Sequence, residues 1–297
     1  MSTYDIIAPI KPTEALPAVR TIHPADLVTA LRRGLDDFRA MPTHLVFIYM
    51  LYPITGLLIW RLAFGYDLLP LMYPLAAGFA LIGPFAAIGL YEMSRRREMG
   101  LDMHWKHLTD VFHSPSLPSI LALGGLLLAL FIAWIAIADG VYTAHFGAYE
   151  PASPTAFLRR VFTTPEGIGM IFIGNAVGAV FAVIAMTVSV IAFPLLLDRE
   201  VGVSAAVLTS IKVVLRNPLV MALWGVVVAT LLAAGFALLV LGLAVVLPVL
   251  GHATWHLYRF AVEPDPGPRP PIEVKSRPPH YAAEFPASFF SWITGRR

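Results

Sequence analysis

Three long apolar stretches, each opened by a proline and closed by charged residues, constrain this chain more than any other feature. The first stretch begins at Pro42 and ends at the charged segment 91–97. The second begins at Pro118 and ends at residues 198–200, and the third begins at Pro218 and ends at residues 256–259. Each closing helix carries a further proline near its exit: Pro84, Pro194 and Pro248. Only 13% of the residues are charged and 58% are apolar, whereas soluble domains carry about a quarter charged residues. The pattern predicts an all-α membrane protein.

The lengths of the apolar runs predict six transmembrane helices. A hydrocarbon core of about 30 Å requires roughly 20 apolar residues of helix. The last run, residues 219–257, is too long for one span at about 1.5 Å per residue, so we split it near residues 233–236. The predicted spans cover residues 44–64, 70–91, 117–138, 168–197, 217–234 and 237–258.

The basic residues predict the orientation of these spans. With both termini in the cytoplasm, 18 of the 21 Lys and Arg residues fall on cytoplasmic segments, and Arg61, Arg159 and Arg160 fall outside. Cytoplasmic loops of membrane proteins carry such an excess of Lys and Arg. Without the split in the last run, the C-terminal basic residues would fall outside as well. We therefore expect a multi-pass bacterial inner-membrane protein with cytoplasmic N- and C-termini.

A short amphipathic helix is predicted before each opening proline. Apolar residues recur there at intervals of three and four, which places them on one helical face. They are Leu27, Leu31, Leu35 and Phe38, then Leu101, Trp105, Leu108 and Phe112, then Val203, Val207, Ile211 and Val214. We expect each helix to lie in the membrane interface and to end at the proline. The fold is thus predicted as three helical hairpins, each preceded by an interfacial helix. Alternatively, the three copies are not true internal repeats and acquired the same pattern by convergence.

The chain is predicted to contain one membrane domain, residues 24–261, between two tails. Residues 1–23 contain no apolar run, so we expect an N-terminal tail and no cleaved signal peptide. Residues 262–297 begin with a proline-rich linker and end in an aromatic, basic segment. This C-terminal segment either lies on the membrane, docks on a partner or is disordered.

Reactive side chains are scarce in the predicted spans. No Asp, Glu, Lys or Arg lies near the middle of a span, whereas proton pumps and ion-coupled transporters need such groups. The absence of cysteine excludes disulfides and thiolate metal sites. The sequence also lacks nucleotide- and nucleic-acid-binding motifs. We therefore expect a protein that is not an enzyme, takes no cofactor and binds no nucleic acid.

Residues at the ends of the closing helices are the candidates for binding a lipid headgroup or a protein partner. They are Glu92, Arg95, Arg96, Asp198, Arg199, Trp255, Tyr258 and Arg259. Alternatively, they only neutralise charge and anchor the helix ends. Gly174, Gly178 and Ala182 predict close helix packing on the fourth span, within the protein or against a partner subunit. His252 and His256 lie one helical turn apart and are weak candidates for metal or haem ligands, with interfacial anchoring as the alternative.

Five segments resemble a bacterial family of predicted inner-membrane proteins known as domain of unknown function 2189. They are residues 81–98, 193–199, 206–210, 216–218 and 247–259. The last, Leu-Pro-Val-Leu-Gly-His-Ala-Thr-Trp-His-Leu-Tyr-Arg, is the most specific, and the resemblance covers residues 25–261. It implies a membrane location and six spans, and it brings no activity with it.

Together, these features favour an accessory, assembly or scaffold component of the cell envelope, with a place beside a respiratory complex as one form of that role. The expected partners are membrane lipids and either another membrane protein or a second copy of the chain. Two alternatives remain open. In a transporter or channel for a small molecule or lipid, Pro84, Pro194 and Pro248 would kink three helices around a pathway. In a haem- or metal-binding protein, His252 or His256 would be a ligand.

Overall fold

A computed structural model of the chain describes residues 16–41, 69–81, 83–101, 114–147, 149, 151–238 and 242–264. Regular structure in these residues is helical, apart from an isolated bridge between Val19 and Val262. A 3₁₀ turn, Leu69–Leu71, precedes the second helix. The helices are α1 Pro24–Ala40, α2 Met72–Phe79, α3 Gly83–Ala86, α4 Ile88–Glu98, α5 Leu117–Phe146, α6 Pro154–Thr163, α7 Pro165–Ser189, α8 Ala192–Asp198, α9 Val203–Arg216, α10 Pro218–Ala237 and α11 Leu243–Ala261. The predicted all-α fold is confirmed for this part of the chain.

Three of the described helical segments are long and apolar enough to cross a membrane. They are α5, α10 and the segment Pro165–Asp198, which α7 and α8 form together. These segments coincide with the predicted spans 117–138, 217–234 and 168–197, although α5 continues beyond its predicted end to Phe146. The predicted span 44–64 lies outside the described residues.

The predicted second span, residues 70–91, is not one continuous helix. α2 stops at Phe79, and the helix resumes as α3 at Gly83 before it continues into α4. Pro84 accounts for the break, because proline donates no backbone hydrogen bond and its ring collides with the carbonyl four residues earlier. The break leaves α4 as a separate helix whose C-terminal end is charged.

The boundary between the predicted fifth and sixth spans lies further along the chain than residues 233–236. α10 ends at Ala237 and α11 begins at Leu243. The backbones meet closely at this turn, since a Cβ on Gly242 would lie 2.8 Å from the Cα of Gly235. Polar side chains in the second half of α11 make it less apolar than the three membrane-length segments. The described residues therefore show two separate helices in the last apolar run, divided after Ala237 and not at residues 233–236, and they do not confirm a count of six spans.

The segments that follow Pro84, Pro194 and Pro248 form the centre of the described fold. α4, α8 and α11 are in mutual contact. The side chains of Trp255 and Tyr258 are fully buried where they meet. The charged ends of the three closing helices, which are far apart in sequence, are therefore neighbours in space.

Ser210 of α9 satisfies the backbone groups freed where the helix breaks before Pro194. Its hydroxyl donates to the Thr187 carbonyl oxygen at 2.7 Å, and its Oγ accepts from the Ile191 backbone N–H at 3.3 Å. Buried backbone groups need such partners when the helical hydrogen bonds are interrupted. The break between α7 and α8 is thus held by a third helix.

α1 and α9 occupy the predicted positions of the first and third amphipathic helices, and the residues that they bury against other helices differ from the apolar residues predicted to face the membrane interface. The fully buried residues are Leu27, Ala30, Gly34 and Asp37 in α1, and Ala206, Thr209, Ser210 and Val213 in α9. Apart from Leu27, the large apolar residues of the predicted faces are only half-buried. Small side chains let two helix backbones approach closely, so they occupy the line of contact. Residues 102–112 of the second amphipathic helix lie outside the described residues.

The buried positions of α1 and α9 correspond when the helices are aligned on the prolines that follow them. Ala30 and Ala206 each lie twelve residues before that proline. Gly34 and Ser210 each lie eight residues before it. In the first and third copies of the sequence pattern, buried residues therefore occupy equivalent positions relative to the following proline, in addition to the shared hydrophobic spacing.

Asn217, between α9 and α10, holds the segment that precedes α1. Its Oδ1 accepts from the Ile22 N–H at 2.9 Å, and its Nδ2 donates to the Arg20 carbonyl at 3.1 Å. Val19 pairs with Val262 just after α11. The last residues of the predicted N-terminal tail are thus packed against the helices.

Replacement of Asn217 by alanine is expected to loosen this segment. The change leaves the Ile22 N–H and the Arg20 carbonyl without a partner, at a cost of about 1–2 kcal/mol. Hydrogen exchange followed by mass spectrometry should show faster exchange at residues 18–22. Lys212→Gln, at an exposed position on α9, is the control and should leave the exchange unchanged. Equal exchange in the two variants would contradict the role of Asn217.

Candidate functional site

Asp37 is the centre of a hydrogen-bonded cluster at the charged end of the described helices. It lies on α1 and is only 4% exposed. Ser94 Oγ and His256 Nε2 donate to its Oδ2 at 2.6 and 2.9 Å, and Arg97 Nη1 donates to its Oδ1 at 2.6 Å. One carboxylate thereby joins α1 to both α4 and α11.

The position of Asp37 depends on the close approach of α1 and α11. A Cβ on Gly34 would lie 2.6 Å from the backbone nitrogen of Ala253. Only glycine permits two helix backbones to come this close without displacement. Asp37 follows Gly34 by about one helical turn, on the same face. The contact at Gly34 therefore brings the carboxylate to His256.

Several opposing effects set the pKa of Asp37. Burial raises this pKa. The hydrogen bonds from His256 and Ser94 and the charges of His256 and His252 lower it, and together they outweigh burial, so the pKa lies below its ordinary value. Hydrogen bonds to the ionised form favour that form. Asp37 is therefore a buried carboxylate at neutral pH, opposite the guanidinium of Arg97.

The lowered pKa predicts how stability depends on pH. The ionised Asp37 stabilises the fold above the ordinary aspartate pKa, and this contribution is lost as the pH falls through the lowered folded-state value. The difference in free energy of unfolding between the natural chain and Asp37→Asn should be fully present above about pH 4 and should shrink below it. Denaturant unfolding in detergent at a series of pH values measures this difference. A difference that increases as the pH falls would rule out the proposed linkage.

Ser94 connects Asp37 to the fully buried His252. The one hydroxyl proton of Ser94 goes to Asp37, so the His252 Nδ1, 2.8 Å from Oγ, is the donor in the second hydrogen bond. The other ring nitrogen, Nε2, has no hydrogen-bond partner within the described residues. In a catalytic triad the histidine stands between serine and carboxylate. Here the serine stands between them, so the imidazole is not placed to take the serine proton.

Arg259 joins two further carboxylates to α11. Its Nη2 lies 2.9 Å from Glu98 Oε1, and its Nη1 lies 3.4 Å from Asp198 Oδ2. Trp255 Nε1 also donates to Glu98 at 3.1 Å, and the Tyr258 hydroxyl donates to Asp198 at 2.7 Å. The end of α11 thus binds the C-terminal ends of both α4 and α8. We call the whole network the polar cluster: Asp37, Ser94, Arg97, Glu98, Asp198, His252, His256, Tyr258 and Arg259.

Most residues predicted to bind a headgroup or partner are buried inside the protein. Those buried are Glu92, Arg95, Arg96, Asp198, Trp255 and Tyr258. Within α4, Glu92 forms ion pairs with Arg95 and Arg96 at 3.2 and 3.9 Å. Of the eight candidates, Arg199 and Arg259 keep partial exposure. The charged side chains among them therefore neutralise one another within the described fold.

Sequence reasoning did not single out Asp37, Ser94 or Glu98. One available signal was the spacing of Ala30, Gly34 and Asp37, which places an acid on the same helical face as two small residues. Ser94 and its partner His252 are 158 residues apart. No local pattern links such a pair, because the contact exists only after α4 packs on α11.

His252 and His256 are both engaged with protein side chains. His252 bonds to Ser94, and His256 bonds to Asp37. In the part of the chain that the structure describes, no group of three or more His, Asp or Glu side chains could hold a metal ion. The geometry therefore assigns the two histidines to the polar cluster.

The three predicted packing positions on α7 have different surroundings. A Cβ on Gly178 would lie 3.1 Å from the ring of Trp134, so this position packs against α5. A Cβ on Gly174 would meet open space, and Ala182 is exposed. Asn175, beside them, accepts a hydrogen bond from the Tyr73 hydroxyl at 2.7 Å. Gly178 thus has an internal packing role, whereas the other two positions face outward from the described residues.

A cavity of about 290 Å³ lies beside the polar cluster, between α1, α4 and α11. Its lining consists of polar and charged side chains: Arg33, Asp37, Ser94, Arg97, Glu98, His256 and Arg259. Two ion pairs form part of the wall, Asp37 with Arg97 at 2.6 Å and Glu98 with Arg259 at 2.9 Å. Side chains of the polar cluster are thus accessible from this cavity.

The chain matches one family model over residues 72–198, and the family is described as a predicted integral membrane protein (DUF2189). The matched region begins with α2 and ends with α8. The resemblance seen in the sequence is thereby confirmed for this region. Comparisons with curated proteins and with solved structures find no match.

Proposed function

We propose that this chain, which contains a region of the DUF2189 integral-membrane family, is a non-enzymatic accessory, assembly or scaffold component of the cell envelope. The observation that carries the proposal is the polar cluster, whose hydrogen bonds join α1, α4, α8 and α11. The hydroxyl of Ser94 donates to the buried Asp37 carboxylate, which Arg97 and His256 also bind, and an acceptor shared between several helices in this way favours a structural role. Three membrane-length segments and the family match support the membrane location.

We infer that the polar cluster lies on the cytoplasmic side of a bacterial inner membrane. The asymmetric distribution of Lys and Arg supports this orientation, with both termini on the same side. In that arrangement the membrane-length segments hold the protein in the bilayer. The joined ends of α1, α4, α8 and α11 then form a rigid surface towards the cytoplasm, as a scaffold requires.

Transport between the kinked helices is less well supported. A pathway there would have to pass where the segments after Pro84, Pro194 and Pro248 meet. Trp255 and Tyr258 fill that position and are fully buried. Among the described residues, the centre of these segments is therefore packed, and the cavity lies to one side of it.

Isolation of the protein from its native membrane tests the scaffold proposal. After cross-linking in the membrane and purification in mild detergent, we expect another membrane protein, or a second copy, in fixed stoichiometry. Ala182→Trp and Val226→Trp are a matched pair, because both add bulk at exposed positions on membrane-length helices, α7 and α10. Ala182→Trp should reduce the amount of partner, since it disturbs the small residues of α7, whereas Val226→Trp should not. A monomer that carries only lipid would contradict the proposal.

A further inference from the structure

The cavity beside the polar cluster has the dimensions of a small anion site. Its volume is about 290 Å³, close to the lower end of the range of about 300–1,000 Å³ typical of ligand pockets. This space suits a phosphate group with a short substituent. It is bordered by three separate helices, so a bound group would be contacted from several directions.

Positive charge is in excess in the lining of the cavity. Three arginines, Arg33, Arg97 and Arg259, face two carboxylates, Asp37 and Glu98. Arg97 is paired with Asp37, and Arg259 is paired with Glu98 and Asp198, so Arg33 is the arginine of the lining that forms no ion pair within the described residues. An arginine presents five N–H donors, so these side chains retain donors beyond those used in the ion pairs. The charge and the donor groups both favour an anion.

The carboxylates are already engaged, which disfavours a cation in the same space. Asp37 accepts hydrogen bonds from Ser94, Arg97 and His256. Glu98 accepts from Trp255 and Arg259. A metal ion would have to displace guanidinium groups from both. An anion needs no such exchange.

Arg33 is the residue best placed to add affinity without disturbing the ion pairs. It lies on an exposed position of α1, and its guanidinium carbon is 5.2 Å from the centre of the Phe260 ring. This cation–π contact holds the side chain at the cavity. Its neighbour Arg32 is also exposed but does not line the cavity. The two arginines therefore differ in position while sharing charge, helix and exposure.

We propose that this cavity binds a phosphate group through Arg33, Arg97 and Arg259. Three guanidinium groups from three helices match the several oxygens of a phosphate, and arginine forms strong charge-assisted hydrogen bonds with it. The phosphate belongs either to a small soluble compound or to the headgroup of an anionic phospholipid. The site stands independently of the scaffold role, because it requires no protein partner.

Calorimetric titration of the purified full chain in neutral detergent tests the site. The probes are inorganic phosphate and short-chain phosphatidic acid, at fixed ionic strength. We expect Arg33→Gln to weaken binding about tenfold, as expected for the loss of one charge-assisted contact, and Arg32→Gln to leave it unchanged. Arg33→Lys should restore part of the affinity. Tighter binding of phosphatidic acid assigns the site to a lipid headgroup, and equal binding assigns it to a soluble phosphate.

Two results would overturn the proposal. One is the absence of binding of either probe to the natural chain. The other is an equal loss of affinity in Arg33→Gln and Arg32→Gln, which would indicate attraction to the basic surface of α1 in general. Thermal unfolding of both variants without phosphate should match the natural chain, so a loss of affinity would not reflect misfolding.

Discussion

Asp37→Asn is expected to lower the free energy of unfolding by about 2–4 kcal/mol. Removal of one partner from a buried ion pair costs about 3–5 kcal/mol, and the 36% exposure of the Arg97 side chain reduces this, because water can solvate the freed guanidinium. The amide of asparagine also brings donors towards the donors of Ser94 and His256. Denaturant or thermal unfolding in detergent measures the effect, with α1 expected to loosen first.

Asp36→Asn is the matched control for this experiment. Asp36 is the neighbouring residue on α1, and its ion pair with Arg39, at 3.8 Å, joins side chains that are 59% and 69% exposed. Exposed pairs of this kind contribute about 0–1 kcal/mol. A comparable loss of stability in both variants would show that Asp37 has no special place in the fold.

Gly34→Ala is expected to destabilise the protein by about 2–3 kcal/mol. The added methyl would lie 2.6 Å from the Ala253 backbone nitrogen, and a backbone atom cannot rotate away as a side chain can. Insertion of one carbon into such a contact typically costs about 1–3 kcal/mol. The shift of α1 would also stretch the bonds to Asp37. Unfolding in detergent measures the loss, and limited proteolysis before Pro42 should become faster.

Gly125→Ala separates this contact from the general effect of a glycine substitution. Gly125 lies within the helix α5, and a Cβ there would meet no atom within 4 Å. Because alanine favours helix over glycine by up to about 1 kcal/mol, this variant should be neutral or stabilising. Gly34→Ala combined with Asp37→Asn should cost less than the sum of the two, because both act through the docking of α1. Additive losses would mean that the two positions act independently.

Much of the helical content could be predicted from local features. The lengths of the apolar runs located α5, α7 and α10, and the three- and four-residue spacing located α1 and α9. Which residues of each helix are buried depended on the helices packed against it. The large residues Leu31, Leu35 and Phe38 were expected to face the membrane interface, and the sequence did not indicate which residues of α1 contact α11. Small residues occupy that contact, since they let the two helix backbones approach closely.

The location of the candidate site could be predicted from the sequence, but the residues that form it could not. The charged ends of the closing helices were identified from sequence, and the structure brings Asp198, Tyr258 and Arg259 together. The centre of the network, Asp37, lies on a predicted amphipathic helix, but it was not among the candidate residues. Its role depends on partners as far away as His256, 219 residues along the chain.

By itself, the sequence determined that the chain forms apolar membrane helices and where proline removes a backbone donor from them. The helix is interrupted before Pro84 and Pro194 but continues through Pro248, a difference that the tertiary structure decided. Length, hydrophobicity and the missing proline N–H are properties of a few consecutive residues, so they act wherever the segment lies. Only the tertiary structure decided which charges neutralise each other and where a cavity remains. Close backbone contact at Gly34 brings one buried carboxylate within reach of two other helices, and the energy of that charge depends on all of them together.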